Sequence, residues 1–310
     1  MKNLDSIRDT FGKALVRIAK NNKNIICISP DLKQATKLSY FFSKYPSRSI
    51  ETGIAEANAV GIAAGLAMSG MRPVVASFGS FLTGKNVEIR TSIAFNKAPV
   101  IVVGTHGGLI GADGPTQAGL QDIAIMRSMP NMSVVQPSTN IETVKIMEYY
   151  LSKKNKEIVY LRISREQTKE FFQKNYKFKP GKISNIINQH KDGYILASGS
   201  VLQNCYQAIN KIKNKKIGLG NLSSIKPIDL NDIKKITSKT KKIITFEDHN
   251  IHGGLGSAVN EAVLKVSSKT QIFNYGINDV FTQSGTVKEL YKNYKLDKIS
   301  IKKKIISTLF

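Results

Sequence analysis

The sequence predicts an α/β fold: two three-layer domains, each a mostly parallel sheet covered by helices, the second smaller than the first. Three observations carry this expectation. Short apolar segments alternate with stretches of helical periodicity, and strands apolar on both faces belong to buried parallel sheets. The alternation lapses once, over 167–192, and then restarts. The glycine-rich blocks follow predicted strands, where open α/β sheets bind ligands.

Taken in order, Leu4, Ile7, Phe11, Ala14, Leu15 and Ile18 recur at helical spacing and predict a helix over 4–19, followed by the strand IICIS at 25–29. The Ala- and Gly-rich run 56–70 reads as a helix with Glu56 at its mouth. Strands follow at 72–78, 98–104, 132–137 and 158–164, separated by helices over 86–96, 119–128 and 141–153. Together these make a first domain over 1–166. The stretch 167–192 is rich in Lys and Asn, holds a Pro-Gly pair and reads as a linker. The second domain, 193–310, repeats the cycle with strands at 193–200, 216–222, 241–248 and 271–277 and helices over 201–213, 230–238 and 255–266. Residues 287–310 predict one or two amphipathic, lysine-rich helices.

With 41% apolar residues the chain is globular, and 46 basic against 22 acidic side chains give a formal charge of +24. A field of that sign attracts anions. The lysines are scattered, with short clusters such as KIKNKK (211–216), and none is interleaved with aromatics as in a nucleic-acid module. A coding bias toward Lys, Ile and Asn accounts for that composition, so no specific nucleic acid is expected. Two cysteines, Cys27 and Cys205, far apart in apolar settings, build neither a disulfide framework nor a metal cluster. The N-terminus is charged throughout, and no run approaches the roughly 20 apolar residues of a membrane span. A cytoplasmic protein without a membrane partner is the expectation. The chain has no Walker A motif, dinucleotide fingerprint or G-x-S-x-G elbow, which leaves kinase, dehydrogenase and serine-hydrolase readings without their working parts.

Glu56, in ETGIAEANAVGIAAGL, stands among small apolar residues with no base nearby in sequence, a costly place for a carboxylate unless solvent or a ligand meets it. The blocks GIAEANAVGIAAGLAMSG (53–70), SFGSFLTG (77–84) and GTHGGLIGADGPTQAGLQDIAIMRSMPNMSVVQPS (104–138) resemble the pyrimidine-binding domain of the transketolase family, whose members use thiamine diphosphate. KPIDL (226–230) and FEDHNIHGGLGSAVNEAV (246–263) resemble that family's C-terminal domain. The resemblance implies that Glu56 is the catalytic glutamate that hydrogen-bonds a ring nitrogen of the cofactor's aminopyrimidine. It implies that Phe78 and Phe81 pack on that ring. His106, Asp113, Gln117, Arg165 and Arg8 fall where relatives contact a sugar substrate, the arginines and His106 toward its phosphate. Gln117 replaces a usual histidine and cannot carry a proton at neutral pH, which implies either a changed donor or acceptor sugar or a weakened activity. Gly84 stands where many relatives place a further aromatic.

Nothing in the sequence resembles the family's diphosphate-binding domain with its G-D-G…N signature. The resemblance therefore implies the C-terminal subunit of a split transketolase. An N-terminal partner subunit would hold the diphosphate and a divalent metal, Mg or Ca, in oxygen ligands. Self-association as a dimer within an α2β2 assembly is expected, with helix 56–70 as a candidate seam. The activity implied is transfer of a two-carbon ketol unit between sugars or sugar phosphates. The alternatives are a 2-oxo acid dehydrogenase β subunit, a deoxyxylulose-phosphate synthase, or a non-catalytic scaffold that kept the fold.

Overall fold

The computed structural model describes residues 5–267 and 269–310, so Leu4, expected at the start of the first helix, lies outside the described residues. That helix runs Ile7–Asn21 and is capped by Ser6, whose hydroxyl accepts the Asp9 N–H; such a cap stabilises a helix by about 1 kcal/mol.

Among the described residues, twelve strands form two sheets. The first contains β1 (Ile25–Ser29), β2 (Ser49–Glu51), β3 (Arg72–Phe78), β4 (Ile101–Thr105), β5 (Met132–Val135), β6 (Ile158–Ile163) and β10 (Ser224–Lys226), ordered β10-β5-β6-β4-β3-β1-β2. The second contains β7 (Ser184–Ile187), β8 (Gly193–Ala197), β9 (Ile217–Asn221), β11 (Lys242–Asn250) and β12 (Gln271–Ile277), ordered β12-β11-β8-β9-β7. All pairs are parallel except the edges β10 on β5 and β7 on β9. The central strands β1, β4, β6 and β8 are buried along their full lengths, as their predominantly apolar text requires.

Several local expectations are revised. Residues 167–192, read as a linker, contain β7, which closes one edge of the second sheet. β10 crosses from the second half to the first sheet, where Ser224 pairs with Val135. Both are edge strands of three or four residues, too short for alternation to reveal. The helix expected over 86–96 begins with Asn86–Glu88 and continues as a π-helix, Ile89–Phe95. The helix expected from 119 starts at Asp122, because 119–121 belong to the base of the preceding loop. The tail forms two helices, Val287–Asn293 and Lys298–Leu309.

Three apolar layers hold these parts together. Phe11 and Leu15 of the first helix and Ile146 and Tyr150 of helix Asn140–Tyr150 cover one face of the first sheet. A central layer joins Val75 and Val102 of that sheet to Ile225, Leu255 and Val259 from the second half. Val201, Cys205, Ile301 and Ile305 cover the far face of the second sheet. This sandwich leaves the carboxyl ends of β1, β3, β4 and β6 at one edge of the first sheet, the position where open α/β folds place ligands.

Candidate functional site

Glu56 is the first residue of helix Glu56–Met68, and the preceding Ala55 offers no side-chain cap. A carboxylate there faces free helix N–H groups, a setting that favours negative charge by about 0.3–1 kcal/mol. Glu56 is half-buried; its Oε1 accepts the Ser77 hydroxyl at 3.2 Å, and it forms no ion pair among the described residues. Ser77 is the penultimate residue of β3, so the strand fixes the carboxylate's position. Two residues before Glu56, Ile54 is 86% exposed. The glutamate thus keeps one oxygen uncommitted beside an open apolar surface.

Phe78 ends β3, and Phe81 lies in the short helix Gly79–Thr83 that follows at once. Their half-buried rings stack with centroids 5.2 Å apart, and Phe78 also lies 3.7 Å from the His106 ring. His106 follows β4 with φ of 59°, a conformation uncommon for a side chain larger than glycine and costing about 1–3 kcal/mol, which surrounding bonds must offset. Its Nδ1 lies 2.9 Å from the Thr105 hydroxyl, which donates to the Ser77 carbonyl, while its Nε2 lies 3.3 Å from Arg8 Nη1. One tautomer satisfies all three contacts: Nδ1 carries the proton, and Nε2 accepts from the guanidinium. Burial, then the charges of Arg8 and Arg165, push His106 down to about 3. It is therefore neutral at neutral pH, and the site's positive charge resides on the arginines.

Arg8, in the first turn of its helix, also donates to the Ala35 carbonyl at 2.7 Å, and its buried Nε has no partner among the described residues. Burial, then Arg165, lower its pKa, with Asp9 and Asp113 opposing. Arg165, just beyond β6, pairs with Asp113 of the loop after β4. Both are about a third or more exposed, so solvent weakens that pair. The same loop carries Gln117, half-buried, whose carbonyl accepts the Ser80 hydroxyl at 3.0 Å; its side chain makes no hydrogen bond among the described residues. Gly84 ends the Phe81 helix and is exposed.

The fold therefore gathers Phe78, Phe81, His106, Arg8, Arg165 and Asp113 at one sheet edge, links Glu56 to them through Ser77, and brings Gln117 alongside through its backbone. Sequence reading missed Ser77 and Thr105, each one residue before a recognised position. It also missed Arg162, whose charge inside the apolar strand text IVYLRIS was a legible sign of a buried partner. Among the described residues no group of three or more His, Cys, Asp or Glu side chains is placed to hold a metal ion. No described helix is long and apolar enough to cross a membrane.

Stacked aromatic rings, a carboxylate with one oxygen free among the described residues and two arginines thus lie near the carboxyl ends of a parallel sheet. Residues 5–170 match the family model for the transketolase pyrimidine-binding domain, and residues 183–301 match the transketolase C-terminal domain. The chain belongs to the transketolase family and corresponds to its C-terminal section. It is 34% identical over 310 residues to a protein of Methanocaldococcus jannaschii provisionally named a transketolase C-terminal section, covering 98% of this chain and 96% of that one. It is 32% identical over 304 residues to an apulose-4-phosphate transketolase subunit of Phocaeicola vulgatus, 96% of each chain being covered. Its structure superposes on a split-gene transketolase solved as an inactive β4 tetramer with a TM-score of 0.88 and 29% identity, over 99% of both chains. The chain also spans about half the length, 48%, of the 1-deoxy-D-xylulose-5-phosphate synthase of Clostridium tetani, at 31% identity.

Proposed function

We propose that this chain is one subunit of a split, thiamine-diphosphate-dependent transketolase that moves a two-carbon ketol unit between sugars, phosphorylated ones in particular. The observation that carries the proposal is Glu56: a half-buried carboxylate with no cationic partner among the described residues, one oxygen free, beside the stacked Phe78 and Phe81. These residues fit an aminopyrimidine, which offers a ring nitrogen to the carboxyl group and a face to the phenyl rings, a contact worth about 0.5–1.5 kcal/mol beyond buried area. Glu56, Phe78 and Phe81 would hold the aminopyrimidine of thiamine diphosphate, which would supply a nucleophilic carbon for a ketose carbonyl. Glu56 holds the proton shared with the ring nitrogen, and Ser77 fixes its orientation.

Burial and then the neighbouring Arg165 disfavour the charge of Arg8 until an anion joins the two, and a sugar phosphate supplies that anion to a guanidinium fork. Neutral His106 donates its Nδ1 proton to Thr105 and so holds its ring against Phe78. Asp113 and Gln117 face the sugar hydroxyls from the loop after β4.

The diphosphate and its Mg or Ca ion belong in this proposal to a second, N-terminal polypeptide, in keeping with the relatives named as a transketolase subunit and as an inactive β4 tetramer. Two copies of each chain form the assembly. Asn58, Gly61, Gly65 and Met68 make an exposed stripe along helix Glu56–Met68, and a Cβ at either glycine would meet open space; this stripe supports that helix as the seam. The proposed division is a pyrimidine-binding domain over 1–166, a connecting segment 167–192 and a C-terminal domain 193–310, in a cytoplasmic protein.

The likeness to 1-deoxy-D-xylulose-5-phosphate synthases favours a second reading, in which the same site condenses rather than exchanges. Assembly with the diphosphate-binding polypeptide of the same source, followed by assays of thiamine-diphosphate-dependent ketol exchange, tests the proposal. Exchange abolished by omitting the cofactor supports it. Formation of 1-deoxy-D-xylulose 5-phosphate without exchange selects the second reading, and an assembly that binds no thiamine diphosphate overturns both.

A further inference from the structure

We infer that Asp248, on β11 in the second half of the chain, positions the loop 106–119 through Arg162, so that the second domain sets the geometry of the first domain's substrate-facing residues. Arg162, on β6, is fully buried. Its Nε donates to both oxygens of Asp122 at 3.1 and 2.9 Å, and its Nη1 donates to Asp248 Oδ1 at 2.8 Å. Its Nη2 donates to the carbonyls of Gly119 at 2.7 Å and Asp248 at 3.1 Å. The Gly119 carbonyl also accepts the Gly108 N–H, and the Gly119 N–H donates to the His106 carbonyl, which closes the loop at its base. One guanidinium therefore grips the atom that shuts the loop bearing His106, Asp113 and Gln117, and the second domain grips the guanidinium.

The loop lies directly on this charged group. A Cβ on Gly107 would come within 2.6 Å of Arg162 Nε, and one on Gly108, whose φ is +94°, would overlap Asp248 Oδ2. Only bare backbone allows that approach. The same loop buries Leu109, Ile110, Ala118 and Leu120 in a cluster with Ile277, Leu290 and Tyr291 of the second domain. Asp248 is anchored in turn by the Tyr291 hydroxyl at 3.2 Å and by Gln136 Nε2 at 3.4 Å, while Tyr160 donates to Asp122 at 2.7 Å. Buried charge is expensive to keep, and a group so fully hydrogen-bonded fixes one arrangement of everything attached to it.

Asp248 touches no proposed substrate atom and acts as a positioning residue. The kinetic part of its test rests on the proposed transketolase reading; the exchange part does not. Removing Asp248 leaves Arg162 paired with Asp122, so no lone charge is buried. In the assembled enzyme, Asp248→Ala is expected to speed hydrogen exchange of the amides 107–119 at least about tenfold. It should raise KM for a phosphorylated sugar about tenfold, with kcat within about twofold and thiamine diphosphate affinity unchanged. Asp248→Asn, whose amide oxygen still accepts from Arg162, should restore most of both. If Asp248→Ala does not fold, Tyr291→Phe deletes only the hydroxyl that holds Asp248 and should speed loop exchange about two- to threefold. Loop exchange unchanged in a folded Asp248→Ala or Tyr291→Phe protein overturns the inference, as does a fall in kcat matched by lost cofactor affinity. A wild-type assembly that binds no thiamine diphosphate overturns the proposed function, and loop exchange still decides the positioning role.

Discussion

Replacing Glu56 by glutamine separates chemistry from architecture at the position that matters most. The change keeps the volume and leaves a carbonyl oxygen to accept the Ser77 hydroxyl, now at 3.2 Å from Oε1. The helix keeps its buried face of Ala59, Val60, Ala63, Ala64 and Ala67. The structural loss is the favourable placement of a negative charge at a helix N-terminus, about 0.3–1 kcal/mol. For domains of 150–250 residues, 1 kcal/mol moves the melting temperature by about 2–4 °C, so the shift should stay below about 4 °C. The chemical loss is larger, because an amide does not titrate and a positioned proton-transfer group contributes about 10²–10⁴-fold. The assay is steady-state ketol transfer by the assembled enzyme at saturating thiamine diphosphate, with melting and gel filtration on the same sample. A kcat reduced at least about a hundredfold in an intact assembly is expected. A kcat within threefold of wild type would refute the role, and loss of assembly would show Glu56 to be structural.

Three further outcomes follow from the site. Arg165→Lys exchanges a fork for a point charge; at about 1.5–3 kcal/mol for a charged hydrogen bond, KM for a phosphorylated sugar should rise roughly 10- to 100-fold and that for its unphosphorylated analogue should not, as initial-rate kinetics will show. Gln117→His should change the preference among sugars more than the affinity for cofactor, and identical specificity constants for every sugar tried would remove Gln117 from the site. Burial lifts Glu142 to about 7 and Glu247 to about 8, both from 4.5. The native chain therefore retains protons that the unfolded chain has released, and stability falls as pH rises from about 4.5 to 8, at up to about 1.4 kcal/mol per unit for each group. His106 and His249, pushed down to about 3 and about 4 from 6.5, act oppositely below 6.5. Above pH 7 Glu247 remains as the last of these four to titrate, so Glu247→Gln should flatten urea-derived stability between pH 7 and 8, and an unchanged slope would contradict this assignment.

The central parallel strands were legible because burial on both faces writes them as largely apolar text; β1 and β3 fall at the expected residues. The edge strands β2, β7 and β10 were not, since three or four residues at a sheet edge carry no periodic signal and their pairing is a tertiary decision. At the site, residue types pointed to the surfaces that matter but not to their charge states. The family resemblance implies a phosphate contact for His106 but not its charge state; burial beside two arginines makes it neutral, with its ring oriented by Thr105. The contribution of the second domain was invisible for a related reason. Asp248 lies 86 residues from Arg162, and only folding shows that it reaches under a loop of the other domain.

The central claim is that Glu56, Phe78 and Phe81 meet a thiamine ring whose diphosphate is held by a different polypeptide. Calorimetric titration of thiamine diphosphate with a divalent metal into the chain alone, into the diphosphate-binding polypeptide alone and into their mixture tests it most directly. Strong binding should emerge in the mixture and weaken when Glu56 or Phe81 is replaced by alanine. Equally tight binding by this chain alone, or binding by the mixture that ignores both replacements, would contradict it.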